Sequence, residues 1–305
     1  MNGDAADSRA MQGLLDLRQH HHKGQRAPHK PLLVLLALGR FAGTGSSALA
    51  WSDARSSLAS LLSEYGPASK TPPAQAAAYP FTRLRSDGVW TLDHEVPMDR
   101  IGPLDSQPVT GRLNDEVERA LADRGVLYAT VRALVEAEFP PSIAGDVLTA
   151  VGFDPTEVYS QPAATGRATA SAARRQRSGS WPARILEAWD RQCAFCGYDG
   201  QLGTGSVGLE AAHVRWFNFN GPDALDNGLA LCSLHHKLFD RGALGLTEGH
   251  RIRVSGTFTA RTEAGRRIYD LADQPLRPRP GTLLPAHEHV TWHAAQVFKG
   301  EDLAA

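Results

Sequence analysis

Two short pairs of cysteine and histidine carry the clearest chemistry in the chain. Cys193-Ala-Phe-Cys196 and Cys232-Ser-Leu-His235 supply four soft or borderline donors in two C-x-x-[CH] steps with a 35-residue gap between them. Such a set suits tetrahedral Zn2+, and each pair can form a knuckle around it. A structural Zn2+ would fasten a region whose many loops leave little continuous core. A redox role for Cys193 and Cys196 would leave Cys232 and His235 without a purpose. Three cysteines make an odd number for a disulfide framework, so metal binding is favoured over stapling.

A second set of polar residues is threaded through these pairs. His236 follows His235 on a short predicted helix, and successive helical side chains diverge by about 100°, so the two imidazoles must face different sites. Upstream, Leu209-Glu-Ala-Ala-His213 ends one apolar stretch, and Asn227 precedes another. The order is His, Asn, His around the zinc knuckles. Taken alone His236 would be a surface histidine; its company with His213 and Asn227 argues for a site.

These residues resemble the HNH endonuclease superfamily, whose ββα-metal motif runs C-x-x-C, A-H, N-x-L-x-L-C and H-H-x-x-F-D-x-G. The chain has Cys193/Cys196, Ala212-His213, Asn227-Gly-Leu-Ala-Leu-Cys232 and His235-His-Lys-Leu-Phe-Asp-Arg-Gly242. The resemblance implies hydrolysis of a nucleic-acid phosphodiester with one catalytic divalent cation, Mg2+, Mn2+ or similar. On that footing His213 takes the proton of the attacking water, Asn227 fixes the His213 ring through its amide, and His236 offers a ring nitrogen to the cation. The cation would stabilise the leaving 3′ oxygen. A carboxylate that often precedes the first histidine is replaced here by Ala212. Glu210 shares the strand face of Ala212 and is expected either to ligate the cation, directly or through water, or to serve as a structural acid. Asp240 is expected to close the helix or hold a basic group, and Lys237 and Arg241 to touch DNA backbone.

Nearer the N-terminus, Gly24-Gln-Arg-Ala-Pro-His-Lys-Pro-Leu-Leu runs from a basic loop into an apolar helix, and helix N-terminal amides beside cationic side chains favour an anion. Tyr79-Pro-Phe-Thr-Arg-Leu-Arg-Ser-Asp-Gly-Val-Trp90 then places aromatic and proline surface beside basic residues. Together the two segments resemble the sulfur-binding domain of phosphorothioate-dependent type IV restriction endonucleases, which join such a domain to an HNH domain. The resemblance implies a reader of double-stranded DNA in which a phosphate oxygen is replaced by sulfur. Sulfur is larger, more polarisable and less firmly hydrated than oxygen, so an apolar wall favours it. Tyr79, Pro80 and Phe81 are the candidate pocket, with Arg26, His29, Lys30 and Arg83 on neighbouring phosphates or base edges. Phe81 and Trp90 have hairpin core as the competing role, and His20-His21-His22 reads as a solvated loop.

The elements that must position these groups can be outlined from pattern alone. The 305 residues suit two domains. Segment 161–180, rich in Ala, Ser, Gly and Arg, reads as a linker between a reader at 1–160 and a nuclease at 181–305. The first part reads as mostly helical, with helices at Met11–Arg18, Pro31–Phe41, Ser52–Tyr65, Asn114–Ala122, Leu127–Phe139 and Ser142–Val151, and one hairpin, Phe81–Leu84 with Val89–Leu92, across Asp87-Gly88. The second reads as helix Trp181–Trp189, strands Val207–Val214 and Asn227–Cys232, helix Ser233–Asp240, and a hairpin from Gly245 to Ser255. The class is therefore α+β.

Composition bounds the rest. Net charge is −1, which excludes a uniformly basic coat, yet Arg9–Arg40 holds six Lys or Arg and four His against Asp16. Arg167–Arg191 holds six Arg against Glu187 and Asp190. The longest aliphatic run, Leu32–Leu38, is far too short for a bilayer, and the acidic, polar N-terminus lacks the pattern of a signal peptide, so a cytoplasmic protein is expected. One active site per chain favours a homodimer, or two binding events, for double-strand cutting. Two other readings remain open at this level: a nuclease that reads methylated or ordinary DNA, and a catalytically silent zinc-containing DNA-binding protein.

Overall fold

The run Leu32–Leu38 is apolar on every side, and a helix of that composition belongs inside a protein. In the structure, a computed structural model, it is the centre of the first of two compact units, Met1–Arg174 and Arg175–Ala305. Residues 13–17, 26–161 and 178–303 are described. His20–His22 and all but the ends of segment 161–180 lie outside them, and the expected Met11–Arg18 helix is covered only at 13–17, with 13–15 helical.

In the first unit the helices are α1 (His29–Thr44), α2 (Trp51–Tyr65), α3 (Pro73–Arg83), α4 (Ile101–Asp105), α5 (Asp115–Leu121), α6 (Arg124–Glu138), α7 (Pro141–Ala150) and α8 (Pro155–Ser160). Helix α1 buries Pro31, Leu32, Leu33, Val34, Leu35, Ala37 and Leu38 and packs on α2, α3 and α6. Side-chain caps set several helix starts: Asn114 accepts from the Val117 N–H, Asp123 from Val126 and Asp154 from Thr156.

The expected hairpin is only half present. Helix α3 runs through Phe81 to Arg83, a 3-10 turn follows at Leu84–Asp87, and only Trp90–Leu92 is a strand, β2. Pro73 at the helix start and the alanines at 74 and 76–78 favour a helix before the aromatic run begins. Gly88, at φ 75°, donates its N–H to Arg85 O and stops that helix instead of turning a hairpin. Strand β2 pairs with β3 (Thr110–Leu113), and β3 also pairs with β1 (Leu49–Ala50), giving an antiparallel sheet of order β1-β3-β2 with Trp90 opposite Leu113.

The second unit opens with α9 (Trp181–Ala188) and a small hairpin, β4 (Gln201–Leu202) with β5 (Gly205–Ser206). Its centre is a ββα motif: β6 (Leu209–His213), β7 (Gly228–Cys232) and α10 (Ser233–Asp240). Strands β6 and β7 are antiparallel, with His213 opposite Gly228 and Leu209 opposite Cys232. A hairpin of β8 (Leu244–Leu246) and β9 (Ile252–Val254) follows, then short helix α11 (Glu263–Arg266) and C-terminal α12 (His287–Gln296). Trp181, Ile185, Trp189, Phe195, Leu229, Leu231 and Phe239 form the core behind the motif. Gly228 is required there, because a Cβ at this position would lie 2.2 Å from Ile185 and 2.9 Å from Trp181. No helix among the described residues is long and apolar enough to cross a membrane.

Candidate active site, zinc centre and reading face

The β6–β7 register sets Leu209 opposite Cys232, and α10 begins directly after Cys232, which brings the second C-x-x-H step against the first knuckle. Donor atoms of Cys193, Cys196, Cys232 and His235 all lie within 4.8 Å of one another. His235 Nδ1 is 3.4 Å from Cys193 Sγ and 3.2 Å from Cys232 Sγ. Around a tetrahedral Zn2+ with ordinary bond lengths the S···N separation is about 3.5 Å, so the cluster fits that ion with small adjustments. Bonds from the Cys196 and Cys232 thiols, and from His235, lower the Cys193 pKa and favour its thiolate. All three cysteines are free of disulfides. Phe195 lies 5.9 Å from the His235 ring and is edge to face with Phe239 at 5.9 Å, which ties the cluster to the core.

His213 ends β6, with its ring stacked on Trp181 at 3.7 Å between centroids and 14° between planes. Its Nε2 lies 2.8 Å from Asp223 Oδ1. Asn227, expected to hold this ring, bonds elsewhere. It is fully buried; its Oδ1 accepts from the Arg215 N–H at 2.8 Å, and its Nδ2 donates to Arg215 O and Pro222 O, both at 3.0 Å. Residues 214–222 form the loop after β6, and Asn227 supplies hydrogen-bond partners to its half-buried backbone at Arg215 and Pro222. Asn227 thus shapes the loop after His213, while Asp223 and Trp181 hold the ring. Neither of those two carried a sequence signal: Asp223 sits in an ordinary Gly-Pro-Asp loop, and Trp181 lies 32 positions from His213 in the chain.

On α10, His235 is buried at the cysteine–histidine cluster while His236 faces Glu210 and Asp240, as the angle between successive helical side chains requires. His236 Nδ1 is 2.7 Å from Glu210 Oε2, and its Nε2 is 3.1 Å from Asp240 Oδ2. Asp240 is buried and also accepts from Trp216 Nε1 at 2.8 Å; it holds a basic group, in keeping with expectation. Glu210 is half exposed and takes the Ser233 hydroxyl at 2.7 Å on its other oxygen. Burial opposes charge on His236, but Asp240 and then Glu210 outweigh it and push the imidazole up to about 9. The hydrogen bond from His236 in turn brings Glu210 down to about 2.

A cation can enter this arrangement. With Nε2–H donated to the anchored Asp240, Nδ1 is left to a metal, the usual carboxylate–histidine–metal order. Cis ligands on an octahedral ion with bonds of about 2.1 Å stand about 3 Å apart, close to the observed Glu210–His236 spacing. Glu210 and His236 therefore fit a shared divalent ion once their mutual proton leaves.

In the first unit the reading candidates separate into a wall and its support. Phe81 is fully buried, 5.0 Å from the Trp51 ring and 5.8 Å from Trp90, and Trp90 Nε1 donates to Phe81 O; it is core and not a pocket surface. Being inside α3 instead of on a strand turns it inward. Pro80 is buried as well. Arg26 is 5% exposed, donates to Tyr65 O at 2.6 Å and lies over Phe139, so it ties α2 to the core instead of reaching outward. Lys30 pairs with Asp87 at 2.5 Å. Tyr79, His29 and Arg83 remain partly exposed. Arg83 grips Asp99 through two 2.6 Å bonds and lies over the Tyr79 ring at 5.4 Å. Burial, then the positive charges of Arg26 and Arg83, depress the His29 pKa and favour its neutral ring.

Comparison with known families agrees with this division. A family model of the ScoMcrA-like DNA sulfur-binding domain matches residues 7–156, and one of HNH endonucleases matches 193–247. Comparison with curated proteins finds no match. Among solved structures, a modification-dependent restriction endonuclease, TagI, is 24% identical over 38% of this chain, with a TM-score of 0.31; the match spans only 37% of that enzyme. The sulfur-binding domain of ScoMcrA in complex with phosphorothioated DNA is 19% identical, covering 48% of this chain and 96% of that one, with a TM-score of 0.41. The type IV phosphorothioation-dependent endonuclease ScoMcrA itself is 13% identical over 86% and 96% of the two chains, with a TM-score of 0.39. At such scores the superpositions carry no weight, and the assignment rests on the two family matches. The chain joins a ScoMcrA-like DNA sulfur-binding domain to a domain of the HNH endonuclease family.

Proposed function

We propose that the protein is a modification-dependent restriction endonuclease that binds phosphorothioated double-stranded DNA through its first unit and hydrolyses nearby phosphodiester bonds with its second. The observation that carries this reading is the tandem of the two family matches in one chain. The chemistry of the residues supports it. Tyr79 offers an apolar ring with the Arg83 guanidinium over one face, a setting in which sulfur loses less hydration than oxygen. Lys30 and Arg83, held by Asp87 and Asp99, supply the positive charge nearest the flanking phosphates, and His29 adds a neutral ring beside them.

In the nuclease unit His213 is the general base that removes a proton from water as its oxygen attacks phosphorus. The new P–O bond forms as the bond to the 3′ oxygen breaks; that oxygen leaves with the electron pair and is protonated from solvent. A divalent cation held by Glu210 and His236 would neutralise the charge developing on the phosphoryl group and the leaving oxygen. Asn227 shapes the loop that follows His213, and Zn2+ on the Cys193, Cys196, Cys232 and His235 cluster fastens the ββα motif. With one such site per chain, cutting both strands calls for a second copy or a second encounter, in the cytoplasm where the DNA lies.

The test is cleavage of three matched duplexes, one phosphorothioated, one methylated and one unmodified, at moderate salt. Cutting confined to the first is expected. Equal cutting of all three would overturn sulfur recognition, and preference for the methylated duplex would favour the other modification-dependent reading. His213→Ala should abolish cutting with DNA binding retained, whereas binding without cutting by the native protein, under every divalent cation tried, would favour a silent DNA-binding protein.

A further inference from the structure

Asp223 belongs to no motif that marked the site, yet both of its carboxylate oxygens are committed around the base. Oδ1 lies 2.8 Å from His213 Nε2, and Oδ2 accepts the backbone N–H of Ser178 at 2.6 Å. The His213 and Asp223 side chains are 13% and 14% exposed, so water competes little for their contact. The segment that follows Ser178 supplies the other restraint, the Trp181 ring stacked under the imidazole. Trp181 Nε1 in turn donates to Ala224 O, the residue after Asp223, at 3.0 Å. Residues 178–181 and 223–224 are therefore tied twice, with the His213 ring between the ties.

We propose that Asp223 is a positioning residue for His213, which fixes the imidazole as its Nε2–H tautomer and leaves Nδ1 to take the proton. This rests on the nuclease reading of the same site. An ionised carboxylate only accepts hydrogen bonds, so the ring nitrogen that faces it must carry hydrogen. The other nitrogen then keeps its lone pair, which is what a base requires. As His213 gains the water proton it becomes cationic, and the Asp223 charge and the Trp181 face both favour that state over the neutral one. The contact therefore strengthens along the reaction, in contrast to a bond that only holds a loop in place. Asp223 touches no substrate in this scheme and acts wholly through His213.

The experiment uses the full chain with Asp223→Asn, Asp223→Ala and Asp223→Glu. Long-range 15N NMR of the His213 ring should report the Nε2–H form in the native protein and a mixture of tautomers in the Ala variant. On a duplex that the native enzyme cuts, kcat should fall about 10- to 100-fold in the Asn and Ala variants with KM within about twofold, on the scale of partial loss of general-base catalysis. The acid limb of the pH–rate profile should move to lower pH, because the cationic ring has lost its anion, and Glu should recover part of the rate. Unchanged tautomers with an unmoved acid limb would overturn the proposal, even if thermal stability dropped. The NMR measurement decides the contact independently of activity, whereas the nuclease reading stands or falls on His213→Ala.

Discussion

Cys196→Ser isolates the contribution of the proposed zinc centre, because of where Cys196 lies. Cys193 is fully buried, so its replacement would mix metal loss with damage to the core, whereas Cys196 is exposed and its replacement leaves no cavity. What changes is one thiolate among four ligands. Structural Zn2+ binds peptide sites of this type with about 10–16 kcal/mol near pH 7, so an even share per ligand is about 3 kcal/mol. For a domain of this size that lowers the melting temperature of the nuclease unit by about 10 °C, a large part of ordinary domain stability. The first unit should melt unchanged, since the cluster lies wholly in the second. Calorimetry of the full chain, with metal analysis of the same sample, reads both numbers. A variant that keeps one zinc per chain and the native melting profile would refute a Cys3His zinc centre, and so would a native protein that holds no zinc after purification without chelator.

Three further outcomes follow from particular contacts. Glu118 accepts the Ser47 hydroxyl and N–H and pairs with Arg112, and although its burial acts the other way these bonds depress its pKa. Its contribution is therefore full above the ordinary carboxylate range and is lost as pH falls through the depressed value. Glu118→Gln should flatten that acid-side loss in chemical denaturation and cost about 1.5–3 kcal/mol at neutral pH, and an unchanged profile would contradict the assignment. Tyr79→Ala should narrow the affinity gap between phosphorothioated and unmodified duplex by about tenfold, as expected when an aromatic wall is removed, with little change for unmodified DNA; titration of both duplexes at one salt concentration checks it. Gly228→Ala should destabilise the nuclease unit by about 1–3 kcal/mol in denaturant melts, because the new methyl meets Ile185 and Trp181, and a neutral result would show that α9 can yield.

The ligand spacings and the ββα order were legible because they are local. Cys193 to Cys196 and Cys232 to His235 are three-residue steps whose geometry follows from a knuckle or one helical turn, and helix Ser233–Asp240 has the bounds that its pattern indicates. The divergence of His235 and His236 follows from helical pitch alone. At Phe81 the local evidence pointed two ways: aromatic residues before Asp87-Gly88 favour a strand, while Pro73 and the alanines upstream favour a helix, and packing against Trp51 and Trp90 settled it. That decision moved Phe81 from the pocket to the core and left Tyr79 and Arg83 at the surface.

By itself the sequence determined the kinds of groups present, two C-x-x-[CH] steps, the histidines and asparagine threaded through them, and the basic and aromatic segments near the N-terminus, since these depend on residue type and short spacing. Only the tertiary structure decided who holds whom. The Asp223–His213 bond, the Trp181 stack, the Glu210–His236–Asp240 chain and the turning of Asn227 and Arg26 toward backbone carbonyls join residues from separate elements. Hydrogen-bond partners are chosen by which polar groups burial leaves without water, and that is known only once the chain has packed.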